Sequence, residues 1–97
     1  MRIITKGTLQ AFWTKEPRAE QALKAWHAEA KAATWLTPDD IKEKYGSASI
    51  INSNRVVFNI CGNKYRLVVH IVYKIGYIYI RFIGTHKEYD NINVEEI

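Results

Sequence analysis

The sequence predicts an α+β fold, with N-terminal helices packed on one face of an antiparallel sheet of three to four strands. Two changes along the chain carry this reading. Apolar residues recur at helical spacing up to about residue 45, and from about Ala48 the period becomes two. Two short glycine-containing breaks, Gly62-Asn63 and Ile75-Gly76, then divide the second half into consecutive strands. A chain of 97 residues matches a single domain spanning 1–97.

Leu9, Phe12 and Trp13 lie at i, i+3 and i+4 and give the first helix a short apolar stripe. Pro17 suits the first turn of a second helix, where its missing N–H costs nothing. Ala19, Ala22, Leu23, Trp26, Ala30 and Ala33 form the buried face of that helix, and the small alanines allow a close approach to a sheet. Thr37-Pro38-Asp39-Asp40 starts a third helix, with Thr37 as cap and Asp40 completing a capping-box pairing. It runs to Tyr45, with Gly46 as its stop.

In the second half Val56, Phe58 and Ile60 alternate with Arg55, Val57 and Asn59. Tyr65, Leu67, Val69, Ile71 and Tyr73 alternate with Lys64, Arg66, Val68, His70 and Val72. Ile78, Ile80 and Phe82 alternate with Tyr77, Tyr79, Arg81 and Ile83. Residues 2–5 are read as an added edge strand. A two-residue Gly62-Asn63 loop pairs Ile60 with Tyr65, Phe58 with Leu67, Asn59 with Arg66 and Arg55 with His70. A two-residue Ile75-Gly76 loop pairs Ile71 with Ile80 and Val69 with Phe82, placing Arg81 beside His70 and Thr85 beside Arg66. One face is then apolar and covered by helices, and the other is an open face with several basic groups.

Charge is distributed unevenly. Net charge is +4, and all ten acids lie at or before Glu43 or at or after Glu88. Between those two positions stand Lys44, Arg55, Lys64, Arg66, Lys74, Arg81 and Lys87, with His70 and His86. Charge of one sign on one segment favours a polyanionic partner, whereas a solvated face balanced by an acidic helical half would give the same pattern. No apolar run reaches the length of a membrane span, and the N-terminal residues lack a signal-peptide core, so the expectation is a soluble, cytoplasmic protein that does not engage membranes. The lone Cys61 excludes an internal disulfide and has no histidine or acid beside it to activate the thiol. Three scattered histidines make no metal-ligand spacing.

The open face and the strand end that follows it concentrate phosphate-binding groups: Arg55, Asn59, Lys64, Arg66, Arg81, His86, Lys87 and Tyr89. The Arg66 guanidinium matches a phosphate with two parallel donors. An imidazole such as that of His86 exchanges a proton near neutral pH. Duller roles exist for several of these groups. Arg81 reads as solvation of an exposed face, His70 as a half-buried structural residue, and Thr85-His86-Lys87-Glu88 as a helix cap. Pattern alone does not separate an RNA-cleaving site from an RNA-binding one.

The runs Arg55-Val56-Val57-Phe58-Asn59-Ile60, Gly62-Asn63-Lys64-Tyr65-Arg66-Leu67-Val68, Ile80-Arg81 and Thr85-His86-Lys87-Glu88-Tyr89-Asp90 resemble the HigB family, RelE-like toxins of type II toxin–antitoxin systems. The VFN…GN-x-x-R pattern and the terminal THKEYD are its specific parts, concentrated in residues 55–90. The resemblance implies a RelE-like fold and a metal- and cofactor-independent endoribonuclease that cuts mRNA, commonly in the ribosomal A site, by attack of the ribose 2′-OH on the scissile phosphate. On this chain it implies Arg66 as phosphate stabiliser, His86 as acid or base, Lys64 and Lys87 as supporting charges, and Tyr89 as base-positioning or proton-transfer group. Asn59 would orient Arg66 or the turn, with Arg55 and Arg81 as further phosphate contacts. Glu88 is an alternative base, although a continued strand would point it away from His86. The implied partners are mRNA, the ribosome and a HigA-like helix-turn-helix antitoxin, with operator DNA reached only through the antitoxin. Two other readings use the same face: a non-catalytic RNA- or ribosome-binding module with sequence-tolerant contacts from Tyr77 and Tyr79, and a docking surface for an acidic protein.

Overall fold

In the computed structural model, which describes Met1–Ile97, the chain runs β1 (Arg2–Ile4), α1 (Lys6–Lys15), a 3-10 turn (Pro17–Ala19), α2 (Glu20–Ala32), α3 (Pro38–Lys44), β2 (Ser49–Ile50), β3 (Arg55–Ile60), β4 (Tyr65–Val72), β5 (Tyr77–Thr85) and α4 (His86–Tyr89). The architecture is α+β, as expected, with the helices on one face of the sheet. The sheet has five strands in the order β1-β5-β4-β3-β2 rather than three to four. The extra strands are its short edges. β1 takes up the edge position read from residues 2–5 and runs parallel to β5, and two-residue β2 pairs with β3. Short edges limit the unpaired backbone offered to other chains. No helix is long and apolar enough to cross a membrane.

The helix signals act largely as read. Thr37 and Asp40 form a reciprocal capping box, with Pro38 in the first turn. Pro17 opens a 3-10 turn and not α2 itself, because the ring's fixed φ fits the tighter turn that feeds the helix. The α3 end departs from the reading. Gly46 does not adopt the left-handed conformation; instead Lys42 Nζ donates to Gly46 O (2.7 Å) and Ala48 O (2.8 Å), satisfying carbonyls beyond the helix. The Met1 ammonium donates to Ala30 O, Lys31 O and Ala33 O at 2.8–3.2 Å, placing positive charge at the C-terminus of α2.

The β3–β4 register agrees with expectation at every pair from Arg55–His70 to Ile60–Tyr65. Its turn differs in detail, since the left-handed residues are Cys61 and Gly62, not Gly62 and Asn63. The β4–β5 register is two residues away from the one expected: Ile71 meets Ile78 and Val69 meets Ile80. Four residues, Tyr73–Gly76, make this turn, closed by Gly76 N–H donating to Val72 O (3.0 Å) with Gly76 at φ 72°. A shift of two preserves the faces.

A bulge at Arg81 then changes them. Val69 pairs with Ile80 and Val68 with Phe82, so Arg81 has no opposite number. Phe82 therefore turns to the outer face and Ile83 packs against the core, the reverse of simple alternation. Thr85 consequently lies opposite Tyr65, and Gly84 opposite Arg66.

The core lies between helices and sheet and centres on Phe58, which is 1% exposed. Its ring lies 5.4 Å from Trp26, 5.2 Å from Tyr45 and 6.1 Å from Trp35. Each contact joins a different segment of the chain to β3, and edge-to-face aromatic pairs add stabilisation beyond area burial. Phe58→Ala is expected to cost about 3–5 kcal/mol, because the cavity borders three rings that cannot all collapse into it. Urea unfolding followed by circular dichroism measures this; a loss below about 1 kcal/mol would show that Phe58 is not the keystone of the core.

Candidate active site

The outer sheet face is not uniformly open. Val57 and Val68, paired across β3 and β4, are 1% and 0% exposed yet stand outside the main core cluster. Phe82 lies opposite Val68, and Arg55 Nη1 donates to Val94 O (3.4 Å), which brings the segment after α4 against this face. The expectation of an open basic face is corrected accordingly. A small apolar seam runs across it, and both valines already sat at outward positions in the sequence alternation.

The seam separates the expected site residues into two groups. Asn59 and Arg66 lie four residues along the strands from Arg55 and His70, roughly 13 Å at the usual strand rise. Arg55, His70 and Arg81 form one group. Burial first, then the charges of Arg55 and Arg81, lower the His70 pKa, and His70 Nδ1 and Arg55 Nε are buried without a hydrogen-bond partner.

The other group is a corner where β4, β5 and α4 meet. Arg66 Nη1 donates to Asn59 Oδ1, and Asn59 Nδ2 in turn donates to Ser47 O at 3.2 Å. The Arg66 guanidinium lies 5.6 Å from the centre of the Tyr89 ring. Held between an amide and an aromatic face, the side chain is half-buried, and its Nε has no partner. Such a guanidinium has lost much of its rotamer freedom before any ligand arrives.

The strand end turns into helix at this corner. Thr85 Oγ1 accepts from Glu88 N–H (3.1 Å) and Glu88 Oε1 accepts from Thr85 N–H (2.8 Å), the capping box that Thr85-x-x-Glu88 allows. Glu88 is thus committed to the cap. The Thr85 N–H chiefly holds its carboxyl below the ordinary range. His86 N–H donates to Lys64 O (3.2 Å), tying α4 to the β3–β4 turn. Exposed His86 directs Nδ1 to Asp90 Oδ2 at 3.3 Å, one helical turn on. Asp90 was not singled out from sequence; its signal was the i, i+4 spacing from His86, visible only once the segment is read as helix. Lys64 and Lys87 are exposed at the same corner.

Gly84 is the second residue the sequence reading passed over. On β5 it pairs directly with Arg66 of β4, and a Cβ there would lie 2.6 Å from Phe82 Cζ and 3.0 Å from Glu88 Oε1. Its lack of a side chain lets the displaced Phe82 ring and the capped start of α4 share the space beside Arg66. None of the surface depressions lies at this corner, which is an open surface. No group of three His, Cys, Asp or Glu side chains is arranged to hold a metal ion.

The family model for HigB toxin, the RelE-like toxic component of a toxin–antitoxin system, matches residues 19–92. The mRNA interferase toxin HigB of Escherichia coli K12 is 29% identical over 92 residues, covering 93% of this chain and 88% of that protein. The mRNA interferase HigB proteins of Escherichia coli O157:H7 and Shigella flexneri match to the same extent.

Two outcomes follow from the site's packing. Gly84→Ala is expected to destabilise by about 1–3 kcal/mol through overpacking, read as a lower melting temperature; an unchanged Tm would contradict the close approach. Acidification is expected to lower stability through His70. The unfolded chain takes up the proton near pH 6.5 while the folded one resists, so stability falls as pH drops through about 6.5 and until the folded group protonates. His70→Gln should shrink that decline in urea melts at about pH 7.5 and 5.5, leaving a remainder from His27, whose pKa is also lowered. An identical pH dependence in the variant would contradict it.

Proposed function

The chain belongs to the HigB family of RelE-like toxins, and we propose that it is the toxin of a toxin–antitoxin pair and a metal-independent endoribonuclease that cuts mRNA on translating ribosomes. The observation that carries the proposal is the Arg66 guanidinium, held between Asn59 and Tyr89 with the exposed His86 at the same strand end. It is further supported by the relatives that bear the name mRNA interferase.

Cleavage through the RNA's own hydroxyl needs no external nucleophile. The 2′-oxygen bonds to the adjacent phosphorus as its proton passes to a base; the bond from phosphorus to the 5′-oxygen breaks, and an acid protonates that oxygen. The products are a 2′,3′-cyclic phosphate and a 5′-hydroxyl. Arg66 stabilises the charge that builds on the phosphate oxygens, and Lys64, Lys87, Arg55 and Arg81 attract and hold the strand. His86 exchanges the proton. The Asp90 carboxylate, 3.3 Å from Nδ1, stabilises the imidazolium that forms when His86 takes up the proton. Tyr89 braces Arg66 and offers a ring edge to a base. In the cytoplasm the ribosome supplies the message in extended form, and a HigA-like antitoxin, which also links the pair to operator DNA, holds the toxin in check.

The second reading, a non-catalytic RNA- or ribosome-binding module, draws on the tilted pair of half-exposed rings Tyr77 and Tyr79, 6.2 Å apart, with the Arg2 guanidinium over Tyr77. Primer extension on a defined mRNA in a reconstituted translation reaction separates the two. The proposal expects discrete cuts that require ribosomes. Arg66→Ala should lower their rate about 10²–10³-fold, and His86→Ala about 10²–10⁴-fold. Asp90→Ala should lower it less than His86→Ala. Full activity in the Arg66 and His86 variants would overturn the site. No cutting by folded, ribosome-bound wild type would leave the binding module.

A further inference from the structure

A second concentration of positive charge lies on the helical layer and shares no residue with the Arg66 corner. Two adjoining surface depressions, of about 210 and 240 Å³, have Lys6 and His27 in common. Trp13 and Lys24 line the first, Arg2 and Lys31 the second, so the two make one groove beside α1, α2 and β1. Three permanent cations, Lys6, Lys24 and Lys31, meet there, while the Arg2 guanidinium lies over Tyr77 at the sheet edge beyond its rim. The carboxylate of Glu20 reaches Lys24 at 2.5 Å, while Glu16 and Glu29 are turned to Tyr65 and Tyr45 on other flanks. The helical half does not, on this side, balance the basic sheet; it presents a basic groove of its own.

The groove also holds an aromatic platform. Trp26 and Trp35 are 2% and 5% exposed and are locked into pairs with Phe58 and Tyr45. Trp13 is only partly buried: it packs against the edge of the core, takes part in no aromatic pair, and carries the Lys24 ammonium over its ring at 5.5 Å. His27, half-buried between Lys6 and Lys31, has its pKa lowered by burial and by these two ammoniums, so the floor of the groove is a neutral imidazole ringed by cations at neutral pH. A row of cations beside an unpaired indole is the arrangement that holds single-stranded nucleic acid, with phosphates on the ammoniums and a base on the ring.

We propose that the groove formed by Lys6, Trp13, Lys24, His27 and Lys31 is a second RNA-binding site, which seats a single-stranded segment by its phosphates and stacks one base on Trp13. It is independent of cleavage at the Arg66 corner and stands whether or not that corner is catalytic. Its span would let the protein grip RNA on both sides of the sheet.

The test uses the full chain carrying Arg66→Ala and Lys87→Ala, to weaken binding at the sheet, and a 2′-O-methyl oligouridylate of about ten nucleotides, which cannot be cut through its 2′-oxygen. Quenching of tryptophan emission reads the groove locally, because Trp13 is the accessible indole. Saturable quenching is expected. Adding Lys6→Gln and Lys31→Gln, both at exposed positions, should make the slope of log affinity against log salt shallower by about 1.4, for two phosphates released. Trp13→Leu, which removes the quenched indole, should weaken binding between about fivefold and a hundredfold when read by the anisotropy of an end-labelled oligonucleotide, and unchanged affinity there would also overturn the proposal. Absence of quenching, or unchanged affinity and slope in the lysine variant, would overturn the proposal. So would oligoglutamate binding the groove as tightly as the RNA, which would make it a docking surface for acidic protein.

Discussion

The register of β3 against β4 is the constraint on which the rest of the molecule depends. One pairing puts Phe58 and Leu67 under the helices and, on the opposite face, sets Asn59 across from Arg66. A slip of one residue would turn one strand over against the other, driving Arg66 into the core or Phe58 into water, so burial of the aromatic cluster fixes the position of the site's central guanidinium. The energy that selects the register is hydrophobic and lies on the inner face, while the chemistry it positions lies on the outer one. Asn59 and Tyr89 then narrow the freedom of Arg66 from two sides.

The corner is completed by an irregularity rather than by regular structure. The bulge at Arg81 reverses the facing of β5, Gly84 removes the side chain that would stand beside Arg66, and the Thr85–Glu88 box turns the strand into a helix at once. Without that turn Tyr89 would travel on along the strand direction, away from Arg66. The turn also creates the one-turn spacing of His86 and Asp90. Glu88 serves structure here: with its carboxylate accepting the Thr85 N–H, it shapes the helix that carries His86 and Tyr89.

This division explains what could be read from the sequence. Alternation and turn residues locate β3 and β4 and their pairing, because one face must be dry and the loop between them is short. The same reasoning misplaces β5, since the Tyr73–Gly76 turn is longer than its glycine suggests and a bulge leaves no composition signature. The position of Gly84 depends on what a side chain would strike, a property of tertiary packing alone. Val57 and Val68 stand at outward positions in the alternation, but only the structure shows them buried, and that burial explains why Arg55, His70 and Arg81 stand apart from the Arg66 corner. The family resemblance carried by residues 55–90 points to Arg66, His86, Lys87 and Tyr89 together with Arg55 and Arg81, and only the fold sets the last two apart from the corner.

The central claim is that the RNA is cut through its own 2′-hydroxyl at the corner organised by Arg66. The most direct measurement replaces the nucleotide 5′ of a mapped cut with its 2′-deoxy counterpart and follows cleavage and product ends in a ribosomal reaction. The account predicts that the substituted message survives while the unmodified one is cut, leaving a 5′-hydroxyl on the downstream fragment. Cleavage of the deoxy message, or a 5′-phosphate on that fragment, would contradict it.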